Sequence, residues 1–307
     1  MKFLTREEIA DLDFVRQIVT NTGIMAHSFE RLPGGTRSMV FAADNLVIRF
    51  PKAEVIWRTM QREKKVIDAI LPYLQSKVPD KVHKIELIEE EYPFSVSKRF
   101  SGKICDNRGD GELTTGYDCL SLKQQENLAR QIAKFFAAIH SIDYETLDIP
   151  SVENDMVAAM ESWNVRARPD FDEEKVRAVL LQFSAGRIDL DIYKGTENDE
   201  IKALCHNDLS GSNMLIEPEE YNVLNGVIDF GNARVVSVAE EFFPLYKISR
   251  KLALDTLSIY NKIVMYPLSL GQIEGMALRY IAYGLSRCVD ITPNTYLLRL
   301  LHMFLEK

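Results

Sequence analysis

The sequence has no apolar run long enough to cross a bilayer, no internal repeat and no low-complexity segment. A membrane-spanning helix needs about 20 consecutive apolar residues. The N-terminus turns charged within its first eight residues, so we expect no signal peptide and a cytoplasmic location. These absences favour a globular protein, and 307 residues are enough for one large domain or two lobes.

Two further classes of protein are disfavoured by what is scarce. The four cysteines are scattered without the spacing of metal ligands, which predicts reduced structural thiols rather than a disulfide framework. Lysine and arginine, 37 in all, are outnumbered by 45 acidic residues, so the net charge is −8. A general nucleic-acid binder needs a basic face, whereas a cationic small-molecule partner is compatible with this charge.

The character of the apolar pattern changes near residue 100. Before it, short alternating segments between turn residues predict strands at 28–32, 38–42, 46–50, 84–88 and 94–97. Helices are predicted at 5–22 and 54–75, and beyond residue 100 at 121–141, 152–166, 171–184, 239–262 and from 270 onward. The sequence therefore predicts an α+β fold with two lobes, a small β-rich lobe over 1–100 and a larger helical lobe over 101–307.

Two motifs with oxygen-bearing side chains follow one another in the C-terminal half. His206, Asp208 and Asn213 lie in a loop of small polar residues, and Asp229 ends an apolar strand before a phenylalanine and a glycine. Magnesium prefers few protein oxygens together with phosphate and water oxygens, which Asn213 and Asp229 would provide. Asp208 would orient an incoming hydroxyl or accept its proton. The spacing is that of the protein-kinase catalytic loop and metal motif, although the same residue types also favour ordinary turns.

With these motifs the chain resembles the aminoglycoside phosphotransferase family, whose fold is related to that of protein kinases. The segment 46–52 is similar to the strand and Pro-Lys exit of enzymes that phosphorylate the 2″-hydroxyl of aminoglycosides. The segment 135–141 resembles the helix before that family's Leu-His-Ser segment. The resemblance implies a bilobal protein-kinase-like fold, ATP or GTP as phosphoryl donor and Mg²⁺ as cofactor. It also implies Asp208 as the catalytic residue, Asn213 and Asp229 as metal ligands, and a supporting role for His206.

The same resemblance suggests which residues bind the nucleotide. Arg49 replaces the strand lysine that contacts the phosphates in kinases, and Glu63 is placed to pair with it. Lys52 is an alternative phosphate contact, although it also fits a solvated surface lysine. The other candidates lie in the phosphate-covering loop, which lacks the full glycine-rich signature, and in the linker between the lobes: Gly34, Gly35, Ser38, Ser97 and Arg99.

The acceptor is less well defined by the sequence. Where the family has an Asp-Pro and a later aspartate after the metal motif, this chain has no Asp-Pro, and Glu241 aligns with the aspartate. Glu240, Glu241 and the acidic group at 172–174 are candidates to face a polycation, although solvated helix charges are the commoner explanation. The sequence favours a monomeric aminoglycoside O-phosphotransferase. The alternatives are a kinase of another small alcohol (a macrolide, an amino alcohol or a sugar-like metabolite) and a catalytically silent nucleotide-binding relative.

Overall fold

A computed structural model describes residues 1–33, 37–105, 117–147, 201–217, 222–287 and 301. Within these ranges, no helix combines the length and the apolar composition that crossing a membrane requires. The predictions for Gly34 and Gly35, for helices at 152–166 and 171–184, and for the acidic group at 172–174 lie outside the described residues. Elements are labelled below in chain order among the described residues.

An antiparallel sheet of five strands forms the N-terminal part. Its strands are β1 Phe29–Arg31, β2 Ser38–Ala43, β3 Leu46–Pro51, β4 Ile85–Ile88 and β5 Phe94–Lys98. Their order across the sheet is β1-β2-β3-β5-β4, with Arg49 of β3 opposite Ser95 of β5. Alternation along the strands buries Phe41, Phe50 and Phe94 on one face, which leaves Arg49 and Ser95 on the other.

Two short helices, α1 Arg6–Ala10 and α2 Leu12–Asn21, cover the buried face of this sheet, where Val15 and Val19 of α2 join its core. The single helix predicted over 5–22 is therefore broken. Asp11 caps the second helix, because its carboxylate accepts the backbone N–H of Phe14. A capping aspartate has a non-helical backbone, so the chain bends there although the apolar spacing continues.

The long helix α3, Glu54–Lys77, connects the sheet to the rest of the molecule. Its C-terminal half buries Val66, Ile67, Ile70 and Leu74 in the larger of the two apolar clusters. That cluster also contains the apolar face of α4, Leu122–His140, and residues from 203 onward. The position of α3 is thus set by packing against the C-terminal part rather than against the core of the five-stranded sheet.

The C-terminal part combines helices with short strands, of which the sequence pattern predicts the one after Asn213 and the one before Asp229. Its helices are α4, α5 Phe243–Tyr246, α6 Arg250–Tyr260 and α7 Leu270–Arg287. Its strands form a sheet in the order β6-β8-β9 and a pair β7-β10, with bounds β6 Lys103–Ile104, β7 Lys202–Cys205, β8 Met214–Ile216, β9 Leu224–Val227 and β10 Arg234–Ser237. The two strand groups carry the loops between residues 205 and 233.

The helix predicted over 239–262 is also interrupted. A 3₁₀ turn at Val238–Phe242 precedes α5, and α6 begins after Ser249, whose hydroxyl accepts the backbone N–H of Leu252. A serine cap of this kind starts a new helix because it replaces a missing intrahelical partner. The predicted division of the lobes at residues 100 and 101 lies between the end of β5 and the start of β6.

The turn between β2 and β3 gives a prediction about acid stability. Asp44, at φ 52°, accepts the backbone N–H groups of His27 and Ser28 at 3.0 and 2.8 Å. These bonds lower the pKa of Asp44 from 3.8 to about 2. A lowered pKa means that the stabilisation is present above the ordinary pKa and is lost as the pH falls towards about 2. Asp44→Asn should therefore lower Tm at pH 7, and the difference should shrink between pH 5 and pH 3.

Thermal unfolding measured across that pH range tests this prediction. Asp80→Asn is the matched control, because Asp80 is exposed and has a φ of 59°. Asparagine adopts left-handed backbone as readily as aspartate, so neither substitution adds backbone strain. A Tm difference for Asp44→Asn that is constant with pH would contradict the role of the carboxylate.

Candidate active site

The loop that follows β7 is fixed by the side chain of His206. The His206 Nε2 atom lies 3.0 Å from the carbonyl oxygen of Ile228, and Nδ1 accepts the backbone N–H of Asp208 at 3.3 Å. The ring also meets the ring of Phe230 edge to face, with centroids 4.5 Å apart. With both ring nitrogens bonded to backbone and the side chain buried, His206 ties the two motifs together. The predicted supporting role agrees with these contacts.

The structure brings Asp208, Asn213 and Asp229 to one edge of the β8–β9 hairpin. The Asn213 side-chain amide donates to the carbonyl oxygen of Asp208 at 2.8 Å. The backbone N–H of Ile228 donates to the carbonyl oxygen of Asn213 at 3.0 Å, so Asp229 follows directly beside Asn213. Because the Asn213 nitrogen is used within the loop, its side-chain oxygen is the atom suited to a cation. One amide oxygen and a half-buried carboxylate fit the hard oxygen ligands that Mg²⁺ accepts.

The backbone around Asp229 is shaped by close contacts. Asp229 has φ 65° and ψ 65°, a left-handed conformation that costs energy for residues other than glycine. At Gly231 a Cβ atom would lie 3.0 Å from Thr59 Cγ2 and 3.2 Å from Asp229 Oδ1. Glycine at position 231 therefore leaves the space in which the Asp229 carboxylate lies against α3.

A buried carboxylate on α3 connects the sheet to this loop. Glu63 pairs with Arg49 of β3 through Arg49 NH2 and Glu63 Oε2, 2.6 Å apart, and it accepts the backbone N–H of Phe230 at 3.2 Å. Arg49 also donates to the Ser95 hydroxyl at 3.2 Å. Burial raises the pKa of Glu63, and the positive charge of Arg49 partly offsets that rise. The pairing of Arg49 with Glu63 that the sequence suggested is present in the structure.

The remaining nucleotide candidates occupy different surroundings. Ser38 begins β2 and Ser97 lies on β5 opposite Val47, both half-buried, whereas Lys52 is exposed just after β3. Arg99 lies directly after β5, at the start of the predicted linker. Its backbone N–H donates to the carbonyl oxygen of Asn45 at 2.7 Å, and its guanidinium pairs with Glu30 of β1 at 3.2 Å. These contacts connect the linker to the sheet, and the assignment of Arg99 to the nucleotide stays a prediction.

The linker itself is held by an aromatic stack. The rings of Phe100 and His83 lie parallel with centroids 3.6 Å apart, and His83 Nδ1 lies 3.0 Å from the carbonyl oxygen of Lys98. On the C-terminal side, a Cβ atom at Gly226 would lie 2.5 Å from the Phe100 ring. The ring therefore fills the space between His83 of the N-terminal part and the backbone of β9.

The structure corrects the prediction that Glu240 and Glu241 face a cationic acceptor. Both side chains are buried, and Glu241 has no exposed surface. Glu240 lies 3.5 Å from Arg234, and the Glu241 carboxylate accepts the backbone N–H of Asn207 at 3.2 and 3.3 Å. Glu241 thus supports the loop at Asn207, whose φ is 61°, from behind. The sequence showed two adjacent carboxylates but not the 3₁₀ turn that directs both inward.

Behind this loop, three side chains of metal-ligand type lie close together. The ligand atoms of His140, Cys205 and Glu241 are within 4.8 Å of one another, and His140 Nδ1 lies 2.9 Å from the Tyr260 hydroxyl. Burial, together with Glu241, raises the pKa of the Cys205 thiol well above its usual value. Without a bound metal the thiol is therefore protonated. These contacts describe a hydrogen-bonded support for Glu241, in which His140 Nε2 lies 3.7 Å from the carboxylate.

Two residues of the site were missed by the sequence analysis. Arg62, buried on α3, donates from NH1 to the carbonyl oxygen of Gly231 and from NH2 to that of Ala233. Asn232, also buried, donates from its amide to the Asp208 carboxylate at 3.1 Å. Position 62 lies four and eight residues before the buried Val66 and Ile70, and that helical spacing marks its side chain as inward-facing. The spacing of residues around Asn232 carries no such signal.

Comparison with known proteins gives a family match and several similar structures. Residues 28–259 match the sequence model of the phosphotransferase enzyme family. The chain is similar to a GDP complex of aminoglycoside 2'-phosphotransferase-IIIa, with a TM-score of 0.63 and 18% identity over 96% of this chain and 98% of that one. It is also similar to ADP-bound aminoglycoside phosphotransferase APH(2'')-Ib, with a TM-score of 0.59 and 17% identity over 96% and 97% of the two chains.

A macrolide phosphotransferase shares the same architecture. The macrolide 2'-phosphotransferase of Brachybacterium faecium matches with a TM-score of 0.60 and 14% identity over 94% of this chain and 97% of that one. At these identities the likeness shows the fold. The α+β, protein-kinase-like fold predicted from the sequence is confirmed, with a strand-rich N-terminal part and helices towards the C-terminus.

The buried pair of Arg49 and Glu63 gives a prediction about stability. Arg49→Met would leave the Glu63 carboxylate without its cation at 3% side-chain exposure, which raises the pKa of Glu63 further. A raised carboxyl pKa destabilises the folded state as the pH rises above about 4.3, the pKa of an unfolded glutamate. We expect the free energy of unfolding to fall by about 2–3 kcal/mol at pH 8, which is less than for a fully buried pair. The decrease should be smaller at pH 5.

Denaturant unfolding at the two pH values measures this effect. Arg58→Met is the matched control. Arg58 lies on α3, the helix that also carries Glu63, and pairs with Glu54 through side chains that are both more than half exposed. Exposed pairs of this kind contribute about 0–1 kcal/mol. Equal losses for Arg49→Met at pH 5 and pH 8 would show that the Glu63 carboxylate does not respond to its partner.

Proposed function

Because the chain belongs to the phosphotransferase enzyme family, we propose that it transfers the γ-phosphate of ATP or GTP to a hydroxyl group of a small molecule, with an aminoglycoside as the leading acceptor. The observation that carries the proposal is the meeting of two motifs at one edge of the β8–β9 hairpin. There Asp208, Asn213 and Asp229 offer a carboxylate, an amide oxygen and a second carboxylate. Phosphoryl transfer depends on positioning and charge neutralisation, and this set is suited to both.

Each of these residues has a defined task in the proposed reaction. Asn213 and Asp229 would hold Mg²⁺, which when bound neutralises charge on the phosphate oxygens. Asp208 orients the acceptor hydroxyl and accepts its proton as that oxygen bonds to the γ-phosphorus and the bond to the departing nucleoside diphosphate breaks. Arg49, held by Glu63, points a guanidinium towards the phosphates, where its planar donors suit phosphate oxygens.

The nucleotide is assigned to the face of the five-stranded sheet that carries Arg49 and Ser95. Ser97 and Ser38 line the proposed site from β5 and β2, and Lys52 is the exposed cation nearest to the end of β3 in sequence. The relatives named above were solved with GDP in one case and ADP in another, which supports a purine nucleotide as donor. Competition between ATP and GTP in the same assay would determine the preference.

Two acceptor classes are supported by observation. The acidic balance of the chain suits a polycation such as an aminoglycoside, and solved aminoglycoside phosphotransferases match nearly the full length. A macrolide is the second candidate, because a macrolide phosphotransferase matches with a similar TM-score. The catalytically silent alternative is disfavoured by the complete set of Asp208, Asn213 and Asp229 at one edge of the β8–β9 hairpin.

A coupled assay of nucleoside diphosphate release tests the function directly. Aminoglycosides, macrolides and uncharged amino-alcohol or sugar acceptors are supplied in parallel with MgATP and with MgGTP, and products are identified by a mass increase of one phosphoryl group. Phosphorylation of an aminoglycoside supports the leading proposal. Phosphorylation of a macrolide alone moves the assignment to the second candidate. No phosphorylated product from any acceptor would overturn the proposed activity.

Replacement of Asp208 should separate chemistry from nucleotide binding. Asp208→Ala removes the group proposed to orient the hydroxyl and leaves both proposed metal ligands. We expect kcat to fall about 10²–10⁴-fold, the range of general-base contributions, with nucleotide affinity nearly unchanged. Asp68→Asn, a carboxylate on the outer side of α3 paired with Lys64, is the control and should have normal kcat. A variant that keeps more than about a tenth of the wild-type kcat would exclude this role for Asp208.

Replacement of Asp229 should instead weaken nucleotide binding that depends on Mg²⁺. Asp229→Asn keeps a side chain that tolerates the left-handed backbone but exchanges an anionic ligand for a neutral amide. Calorimetry should show lower affinity for the nucleotide in the presence of Mg²⁺ and little change in its absence, with Tm unaltered. Asp80→Asn, with φ 59°, controls for the substitution itself. Equal affinity of wild type and variant for the Mg²⁺ complex would rule out Asp229 as a ligand.

A further inference from the structure

The carboxylate of Asp208 is held by a residue to which no role has been assigned above. The side-chain amide of Asn232 donates to Asp208 Oδ2 at 3.1 Å, and 5% of Asn232 is exposed. The final torsion of an aspartate side chain is broad, so a carboxylate at a half-buried position needs a partner to define its plane. Asn232 ends the short 3₁₀ turn Phe230–Asn232 and approaches Asp208 from the metal motif.

Asn232 is in turn fixed through the peptide groups on either side of it. The guanidinium of Arg62 donates from its two terminal nitrogens to the carbonyl oxygens of Gly231 and Ala233. A planar guanidinium presents these donors in a fixed fork, so both peptide groups are oriented at once. Arg62 is 5% exposed, which protects these bonds from competition by water.

Arg62 and Glu63 are neighbours on α3 and bind the same turn from one helix. Glu63 accepts the N–H of Phe230, and Arg62 binds the carbonyls of Gly231 and Ala233. Together they define the backbone from residue 230 to residue 233. A displacement of α3 would therefore move Asn232 and, through its amide, the carboxylate of Asp208.

We propose that Asn232 is a positioning residue for the Asp208 carboxylate and that Arg62 holds Asn232 for this task. The position of α3 therefore affects how Asp208 is oriented towards the acceptor hydroxyl. The inference rests on the proposed function, since it assigns Asp208 to the acceptor hydroxyl. It extends the part played by α3: Glu63 acts on the phosphate side through Arg49, and Arg62 acts on the acceptor side through Asn232.

Steady-state kinetics with the best acceptor from the panel test this relay. Asn232→Ala removes the donor, and Asn232→Asp replaces it with a like charge beside Asp208. We expect kcat to fall about 10-fold or more for Asn232→Ala and further for Asn232→Asp, because misplacement of a reacting group by about 1 Å can cost 100-fold. The KM for nucleotide should change little in both variants, and the Tm should change little for Asn232→Ala, whereas the added buried carboxylate of Asn232→Asp should lower the Tm. Normal kcat for Asn232→Asp overturns the proposal.

Arg62→Lys tests the second step, since an ammonium group is a point donor and does not reproduce the fork. It should lower kcat in the wild type and have little further effect in Asn232→Ala, because residues in one hydrogen-bonded chain are not additive. Arg58→Lys, one turn earlier on the exposed face, is the matched control with unchanged kcat. Additive losses for the two substitutions would show that Arg62 does not act through Asn232.

A readout without catalysis keeps the inference separate from the proposed function. In protein labelled with ¹⁵N at asparagine side chains, the Asn232 amide resonance should shift on Asp208→Asn and on Arg62→Lys. The resonance of Asn225, whose amide donates to Glu217 at 3.1 Å, should not shift. If no acceptor is phosphorylated but Asn232 shifts, the contact stands and the proposed function fails. If Asn232 is insensitive to both substitutions, the positioning role is wrong whatever the enzyme phosphorylates.

Discussion

The buried carboxylate of Glu63 is the contact on which the arrangement of the site depends. It binds a cation of the sheet, Arg49, and a backbone amide of the metal motif, Phe230, at the same time. A carboxylate with so little exposure is stable only while its charge is compensated, so both contacts must form together. One side chain therefore sets the distance between β3 and the turn that carries Asp229.

The helix that carries Glu63 owes its position to apolar packing against the C-terminal part of the molecule. Val66, Ile67 and Ile70 belong to the cluster that includes α4 and the C-terminal strands, not to the core of the five-stranded sheet. Burial of such side chains stabilises by about 1.5–3 kcal/mol each, more than a typical hydrogen bond. Helix α3 is thereby anchored beside the turn at residues 230–233, and the sheet is connected to it through Arg49.

The site could be predicted where spacing in the sequence determines proximity in space. A polar loop before one short strand and an aspartate after the next are brought together by a hairpin. The proximity of Asp208, Asn213 and Asp229 was therefore predictable. Burial of individual charges was not predictable in the same way. Glu240 and Glu241 face inward because a 3₁₀ turn directs them there, and Arg62 is buried within a charged run of sequence because its spacing from Val66 is that of a buried face.

The predicted helix boundaries are wrong where a single side chain competes with a continuous apolar pattern. Asp11 and Ser249 each satisfy a backbone N–H from outside the helix, and that local bond starts a new helix where hydrophobic spacing predicts one long element.

The Phe100 ring between His83 and Gly226 restricts how the two lobes could move against each other. With that ring packed on both sides and Lys103 paired with β8, a rotation of one lobe against the other would fall on the backbone torsions of Ser101 and Gly102. Gly102 already has a φ of 110°, so the pivot is two residues long and tolerates no side chain at its second position.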